Sequence, residues 1–246
     1  YLPHQRGFDL FHGFPNGGQD YWKWNLLRND DAVPHDGRYL SDALNDETLK
    51  FITAHKEKPF AIFLAHHAPH SPLQAPEPLV EKYRQRLGKE ASEAVAVTYA
   101  MIEAMDTGLG RVFQTLKDNG QWENTIIVFT SDNGPVLTKD PKLGPQQRFN
   151  GGFSGEKQHV LEGGIRVPCI VAWPGRIPAG QVIATPVHGC DWLPTLFSLT
   201  QTDAPAGAKP FDGQNIMPLL MGQPAPALAG RTLLFQRNRY APVAHC

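Results

Sequence analysis

Three short runs of apolar residues, at positions 59–65, 124–130 and 167–173, are each bounded by polar or turn-forming residues. Apolar runs of this length without polar alternation are typical of strands buried on both faces of a sheet. The middle run is the richest in β-branched residues and predicts the central strand. Positions 1–38 are rich in aromatic residues, glycine, asparagine and aspartate, and this composition predicts mostly loop.

Helical periodicity occupies the stretches between these runs. A helix is predicted to begin with Ser41 as its N-cap and to stop by Lys58-Pro59. From about position 78, apolar residues recur at three- and four-residue steps until Asn119-Gly120, which predicts a long helix ending there. The order strand, helix, strand predicts a parallel crossover, so the polar residues that follow the first two strands should share one edge of the sheet.

Composition limits the classes of protein that fit. A chain of 246 residues with 41% hydrophobic content suits one large globular domain. The net charge of −1 gives no basic footprint for nucleic acid, and no apolar run approaches the ~20 residues of a membrane helix. The three cysteines, Cys169, Cys190 and Cys246, form neither a disulfide framework nor a zinc pattern.

The strand at 124–130 is followed by Asp132, Asn133 and Gly134. In open α/β sheets ligands bind beyond the carboxyl ends of the strands. A carboxylate beside an amide oxygen suits a hard cation such as calcium, whereas a plain surface turn would use the same three residue types. Both interpretations stay open from these residues alone.

Three histidines, His66, His67 and His70, follow the strand at 59–65. The i, i+4 spacing of His66 and His70 resembles a zinc-binding helix, but Pro69 would break that helix and the glutamate of the zinc-protease pattern is missing. A loop histidine that donates a proton or contacts an anion is the better functional interpretation. The alternative for His66 and His67 is a hydrogen bond that caps a loop.

A second glycine-rich stretch contains Lys157 and leads through Glu162-Gly163-Gly164-Ile165-Arg166 into the run at 167–173. The paired glycines permit the backbone to pass close to a ligand or another segment. Lys157 is therefore a candidate anion contact, whereas Lys139 and Lys142 are interpreted as solvated charges. The turn at Pro174-Gly175 is predicted to end the strand.

In this order, PFAIFLAHHAPHSPLQAP, NTIIVFTSDNGP and GEKQHVLEGGIRVPCIVAWPGRIPAG resemble the type I sulfatases of the alkaline-phosphatase superfamily, grouped with arylsulfatase A and N-acetylgalactosamine-6-sulfatase. RGFDLFHGF, CDWLPTLFSL and FDGQNIMPLLMG resemble the same family. The resemblance implies an α/β three-layer sandwich with a central, mostly parallel sheet that is incomplete on its N-terminal side. The whole chain, 1–246, would form the middle and later part of the catalytic domain, with the small C-terminal subdomain absent or only begun.

The resemblance also implies a site. Asp132 and Asn133 would be oxygen ligands of a Ca²⁺ ion that holds the sulfate, and His70 and Lys157 would contact the sulfate and the leaving-group oxygen. His67 is a further candidate for substrate binding. Residues Glu162 to Arg166 would position Lys157, and His159 is left unassigned.

The chain departs from the family pattern at the nucleophile. The Cys/Ser-x-Pro-x-Arg motif, whose first residue becomes formylglycine in relatives, is not found in these 246 residues, nor is the pair of metal-binding aspartates that precedes it. We therefore expect the chain to be a fragment of a sulfuric ester hydrolase that acts poorly alone.

Three functional expectations follow from the resemblance. The partner would be a sulfated small molecule or glycan, and an oligomer or an association with the missing N-terminal portion is left open. Family membership implies a periplasmic or secreted location. A phosphatase or phosphodiesterase of the same superfamily, which would need two zinc ions, and a non-catalytic module that binds sulfated glycans remain the alternatives.

Overall fold

A computed structural model of the protein describes residues 2–237. The chain divides into two compact units. Unit 1 contains residues 1–122 and 136–149, and unit 2 contains residues 123–135 and 150–246. Cys246, one of the three cysteines considered above, lies outside the described residues.

Unit 1 begins with a short 3-10 helix (Pro3–Arg6) and a small antiparallel sheet, and most of positions 2–38 is loop, as predicted. Strands β1 (His12–Gly13), β2 (Leu26–Arg28) and β3 (Asp31–Val33) are ordered β1-β2-β3. Leu26 pairs with Val33 and Arg28 pairs with His12, and Asn29 turns the chain between β2 and β3 with a φ of 55°. Asparagine tolerates this left-handed conformation, so the tight turn follows from the local sequence.

Three helices form the body of unit 1: α1 (Leu40–Ala54), α2 (Glu77–Leu87) and α3 (Glu93–Asp118). The predicted long helix is thus two helices, because Gly88 adopts a φ of 71° and Ser92 then caps α3 through its hydroxyl, which accepts from the Val95 amide. The predicted end of α3 at Asn119-Gly120 is confirmed. Of the apolar positions that recur at helical spacing in α3, Leu109 is half-buried and the others are buried, namely Val97, Met101, Met105, Val112 and Leu116.

The N-cap prediction for α1 was wrong. Tyr39 is the N-cap, and Ser41 lies inside the first turn with 1% of its surface exposed. The prediction that the helix stops by Lys58-Pro59 is confirmed, since α1 ends at Ala54. The aromatic residues of the preceding loop explain the shift, because Tyr21, Trp24 and Tyr39 are all buried in the core that α1 and α3 share, and the Leu40 amide donates to the Tyr21 carbonyl.

The strand prediction for 59–65 was wrong. This segment has no strand hydrogen bonding, and Phe63 is 83% exposed. An apolar run becomes a strand only when a neighbour completes its main-chain hydrogen bonds, and among the described residues none does. For the same reason the described part of the chain contains no parallel crossover.

Unit 2 contains one antiparallel pair, β4 (Ile127–Thr130) and β5 (Cys169–Ala172). The predicted positions of both strands are therefore confirmed with shorter bounds, and Pro174-Gly175 forms the predicted turn. The predicted burial of the central strand on both faces was wrong, because Val128 and Phe129 are more than a third exposed and Ile170 is 61% exposed. Within the described residues this two-stranded ladder has no further strand beside it.

The rest of unit 2 is made of short helices, α4 (Glu162–Ile165), α5 (Trp192–Thr200) and α6 (Met217–Leu220), around a small core of Ile216, Leu220 and Leu228. Asp191 before α5 is fully buried and accepts hydrogen bonds from the guanidinium of Arg231, at 2.5 and 2.7 Å, and from the amides of His188 and Gln214. Burial alone would raise the pKa of Asp191, but these hydrogen bonds outweigh it and hold the pKa below its ordinary value.

None of the helices in residues 2–237 combines the length and apolarity required to span a bilayer.

Candidate functional site

Three segments of unit 2 meet at glycines: the Asp132-Asn133-Gly134 turn, the loop at 154–159 and the N-terminal part of α4. The Gly134 amide donates to the Gly164 carbonyl at 2.9 Å, and the Gly163 amide donates to the Ser154 carbonyl at 2.8 Å. A Cβ atom on Gly134 would lie 1.9 Å from the Gly163 oxygen, and one on Gly164 would lie 2.1 Å from the His159 oxygen. Only glycine permits this close backbone approach.

Lys157 is held beside the turn by its main chain. The Lys157 amide donates to the Pro135 carbonyl at 2.8 Å. This hydrogen bond holds the Lys157 main chain next to Pro135, the residue that follows Gly134. The next residue, Gln158, adopts a left-handed φ of 78°, an unusual conformation for a residue with a side chain. Among residues 2–237 the half-buried Lys157 ammonium makes no hydrogen bond or ion pair, which leaves it able to contact an anion.

Asp132 and Asn133 present oxygen atoms at the end of β4. Asp132 is exposed, and in the described part of the chain its carboxylate has no hydrogen-bond or ion-pair partner. The side-chain amide of Asn133 donates to the Gly134 carbonyl at 2.9 Å, so its Oδ1 is the atom left to accept or to bind a cation. Ser131 closes the turn from the other side by donating to the Asn133 carbonyl.

This donor set fits part of a calcium shell. Ca²⁺ takes six to eight oxygen ligands, and one carboxylate with one amide oxygen is about a third of that number. Across residues 2–237, no group of three or more His, Cys, Asp or Glu side chains is arranged to hold a metal ion. Asp132 and Asn133 would therefore need further ligands from elsewhere.

Helix α4 supports the Lys157 loop. Its Gly163 and Gly164 receive that loop, and Arg166 forms an i, i+4 ion pair with Glu162 at 3.3 Å while its guanidinium lies 4.6 Å from the centre of the Phe153 ring. The segment from Glu162 to Arg166 thus packs against the loop that carries Lys157. The Nδ1 atom of His159 accepts from the Glu156 amide at 3.3 Å, which makes it part of the loop's own structure.

His70 lies in unit 1, in the turn that follows the exposed 59–65 segment. Its Nδ1 is 2.8 Å from the Ser71 carbonyl oxygen. A carbonyl can only accept, so Nδ1 must carry a proton and the other ring nitrogen, Nε2, is the atom available for chemistry. The residue is exposed, so Nε2 is accessible to a ligand.

The neighbouring histidines have different surroundings. The Nε2 atom of His67 is 3.0 Å from the Gln19 carbonyl oxygen, and its ring stacks on Tyr21 at 4.9 Å and meets Phe14 edge-on at 5.3 Å. This packing supports the loop-capping interpretation of His67, and a substrate contact stays a prediction. Burial lowers the pKa of His66 to about 4, so this histidine is neutral.

The structure thus brings Asp132, Asn133 and Lys157 together within unit 2 through Gly134 and α4, and it holds His70 in unit 1. The sharing of one site by His70 and the other three residues stays a prediction. Sequence reasoning missed two residues that hold the His70 turn, the buried Tyr21 and the half-buried Gln74. The Tyr21 hydroxyl donates to the His70 carbonyl at 3.0 Å, and the Tyr21 amide donates to Gln74 Oε1 at 2.8 Å. No spacing rule links positions this far apart in sequence.

Comparison with known proteins places these residues in a family. The family profile Sulfatase matches residues 2–202. The uncharacterized sulfatase YdeN of Escherichia coli (strain K12) is 34% identical over 221 residues, which are 89% of this chain and 37% of that protein. N-acetylgalactosamine-6-sulfatase of Canis lupus familiaris is 32% identical over 244 residues, covering 89% of this chain and 43% of that protein. The chain belongs to the sulfatase family, and it spans less than half the length of these two relatives.

Solved structures support the fold. The crystal structure of Ps i-CgsB in complex with k-i-k-neocarrahexaose matches with a TM-score of 0.79 and 31% identity, over 89% of this chain and 51% of that one. A phosphonate monoester hydrolase from Silicibacter pomeroyi matches with a TM-score of 0.57 and 22% identity, over 90% of this chain and 49% of that one, and shows the fold alone. The expected α/β alkaline-phosphatase-like fold is confirmed, and the small β4–β5 ladder is consistent with an incomplete domain.

Proposed function

We propose that this chain is part of a sulfatase domain that hydrolyses sulfate esters, and that it supplies the leaving-group side of the site and two ligands of a Ca²⁺ ion. The observation that carries this proposal is the packing of Gly134 on α4, which holds the Asp132-Asn133 turn beside the main chain of Lys157. Family membership and the resemblance of these positions to sulfatase motifs support the same assignment.

The geometry of His70 suits a general acid. When the ring is protonated, the proton on Nδ1 stays bound to the Ser71 carbonyl and the proton on Nε2 is the one given away. As the bond between sulfur and the ester oxygen breaks, that oxygen takes the Nε2 proton and leaves as a neutral hydroxyl. General acid assistance of this kind typically contributes about 10²–10⁴ in rate.

Lys157 and the cation site stabilise negative charge on the substrate. The Lys157 ammonium binds an oxygen of the sulfate or of the leaving group and offsets the negative charge that gathers there. Calcium, when bound by Asp132 and Asn133 with further ligands from outside this chain, supplies a fixed positive charge that holds the sulfate. The nucleophile, a formylglycine in relatives, would also come from polypeptide outside these 246 residues.

The substrate class we propose is a sulfated carbohydrate. Two matches with at least 30% identity support it, because one is named an N-acetylgalactosamine-6-sulfatase and the other binds k-i-k-neocarrahexaose. Steryl-sulfatase of Mus musculus, at 34% identity over 80% of this chain and 30% of that protein, supports an aromatic or steroid sulfate instead. A periplasmic or secreted location is part of the same proposal and follows from the family resemblance.

The test uses the full-length protein that contains this chain, assayed with 4-nitrophenyl sulfate and with a panel of sulfated oligosaccharides. His70→Gln and Lys157→Ala should each lower kcat by about 10²-fold or more. The matched controls are His55→Gln, at the end of α1, and Lys139→Ala, an exposed lysine. Equal activity of all four variants would contradict the assigned roles, and the isolated 246-residue chain should turn over poorly.

Metal analysis separates the alternatives. Calcium in the purified protein, lost together with turnover on chelation and regained with added Ca²⁺, would support the sulfatase. Two zinc ions with phosphate monoester or diester hydrolysis would favour the related phosphatases, whose fold the phosphonate monoester hydrolase shares. Binding of sulfated glycans without turnover by the full-length protein would favour the non-catalytic module.

A further inference from the structure

One buried tyrosine, Tyr21, holds the turn that carries His70. Tyr21 has 0% of its surface exposed, and its hydroxyl donates to the main-chain carbonyl of His70 at 3.0 Å. Burial raises the pKa of Tyr21, so the hydroxyl keeps its proton and remains a donor over the working pH range. The contact joins residues 49 positions apart in sequence.

Tyr21 is itself fixed at both of its main-chain groups. Its amide donates to Gln74 Oε1 at 2.8 Å, and its carbonyl accepts from the Leu40 amide at 2.9 Å, at the start of α1. The other end of the Gln74 amide donates to the Asp20 carboxylate at 2.8 Å. Asp20 in turn accepts from the amides of Trp22 and Lys23, both at 2.8 Å. The tyrosine is therefore anchored to α1 and to both loops that meet at the His70 turn.

The ring of Tyr21 adds a second support. It stacks on His67 with 4.9 Å between ring centroids, and the His67 ring lies 5.1 Å from the His70 ring. The His70 amide also donates to the His67 carbonyl at 2.8 Å. The Tyr21 hydroxyl thus contacts His70 directly, the Tyr21 ring reaches it through His67, and the Nδ1 bond to Ser71 restrains the His70 ring.

We propose that Tyr21, held by Gln74, is a positioning residue that aims the Nε2 atom of His70 at the leaving-group oxygen. This inference rests on the proposed function. Tyr21 touches no reacting atom. Its effect comes from the orientation of the acid, because a misplacement of about 1 Å can change a catalytic rate by about 10²-fold.

Tyr21→Phe removes the hydroxyl and keeps the ring. Thr98→Val is the matched control, because Thr98 in α3 is also buried, at 1% exposed, and donates its hydroxyl at 2.7 Å to a main-chain carbonyl, that of Ala94. Both variants therefore lose a buried hydroxyl that donates to a main-chain carbonyl, and only Tyr21→Phe loses a hydrogen bond to His70. Gln74→Met is a second variant, which removes the hydrogen bond that the Tyr21 amide donates to the Gln74 side chain.

The kinetic readout is the dependence on the leaving group, measured in the full-length protein with 4-nitrophenyl sulfate and with phenyl sulfate. A misplaced acid matters most for the poorer leaving group, because that oxygen needs the proton more. Tyr21→Phe and Gln74→Met should lower kcat for phenyl sulfate by about 10- to 100-fold and for 4-nitrophenyl sulfate by less than about threefold, with KM little changed. Thr98→Val should leave the ratio of the two kcat values unchanged.

The structural readout is independent of turnover. Crystal structures of the variants should show the distance from His70 Nδ1 to the Ser71 oxygen, 2.8 Å here, lengthened beyond hydrogen bonding in Tyr21→Phe and retained in Thr98→Val. An unmoved His70 in Tyr21→Phe, or an equal loss of kcat on both esters, would overturn the proposal. If the unmutated protein hydrolyses neither ester and none of the sulfated oligosaccharides, the sulfatase assignment fails, and the crystal structures still decide whether Tyr21 orients His70.

Discussion

Replacing Gly134 by alanine tests whether close backbone packing builds the Asp132-Asn133 turn. Gly134 is buried, and its amide donates to the Gly164 carbonyl. Its φ lies outside the left-handed region, so alanine can adopt the same backbone conformation. The effect of the substitution therefore comes from space alone.

The distances fix the size of the effect. The added Cβ would lie 1.9 Å from the Gly163 oxygen, whereas real Cβ atoms keep at least 3.0 Å. The turn or α4 must therefore move by about 1.1 Å, and the opposing atoms are main chain, which cannot rotate away. Overpacking of this kind costs about 3 kcal/mol, the upper part of the usual range, and should lower Tm measurably. A shift of that length at the cation ligands should lower kcat by about 10²-fold.

The assay compares Gly134→Ala with Gly189→Ala in the full-length protein. Gly189 is in the same unit, and a Cβ there meets nothing within 4 Å at an ordinary φ. Tm is measured by thermal unfolding with and without Ca²⁺, and kcat is measured with 4-nitrophenyl sulfate. The alanine at 134 should also reduce the gain in Tm on adding Ca²⁺, because the two proposed ligands of the ion would be displaced. If both variants melt and turn over alike, the turn does not depend on the glycine contact and the reasoning fails.

Further predictions concern stability. Asp191→Ala should lower Tm by about 6–20 °C, because removing one partner of a buried pair leaves Arg231 uncompensated, at a cost of about 3–5 kcal/mol. The exposed Asp203→Ala should change Tm little, and equal effects of the two substitutions would refute the buried-pair argument. The pKa of Asp191 is lower in the folded than in the unfolded protein, so the stabilisation that its carboxylate provides is complete above about pH 4 and is lost as pH falls further. Asp191→Asn should therefore weaken the dependence of Tm on pH in that acid range, and an unchanged slope of Tm against pH would contradict this. Gly108→Ala should destabilise the protein by about 1–3 kcal/mol, because the added Cβ would lie 1.8 Å from the Asn45 side-chain amide. Adding Asn45→Ala to the same chain should recover most of that loss, measured by denaturant unfolding in a double-mutant cycle. Strictly additive effects of the two substitutions would contradict a direct clash.

Local patterns predicted the helices of unit 1 well. The stripe that includes Met101 and Met105 follows helical spacing, and a helix makes all its main-chain hydrogen bonds within one segment. The break at Gly88 was missed because the periodicity resumes in almost the same phase after it. The N-cap was misplaced because Tyr39 begins α1 through its packing on Tyr21, and such packing has no sequence signature.

Strands were predicted less well for the converse reason. The run at 59–65 and the run at 127–130 have similar apolar character, yet only the second finds a partner strand in the described residues, at β5. The bonds of a strand are made with another segment, so a run of residues by itself decides only that a strand can form.

For the site, the sequence by itself determined the chemical groups: the Asp132-Asn133 oxygens, the Lys157 ammonium, the His70 imidazole and the sulfatase motifs in their order. The tertiary structure alone decided how those groups are held, through the contact of Gly134 with α4 and through the Tyr21 hydroxyl on the His70 turn. Residue types and short spacings fix what a side chain can donate, accept or bind. Contacts between distant segments depend on how the chain packs, and packing within about 3 Å follows from the fold as a whole rather than from any stretch of sequence.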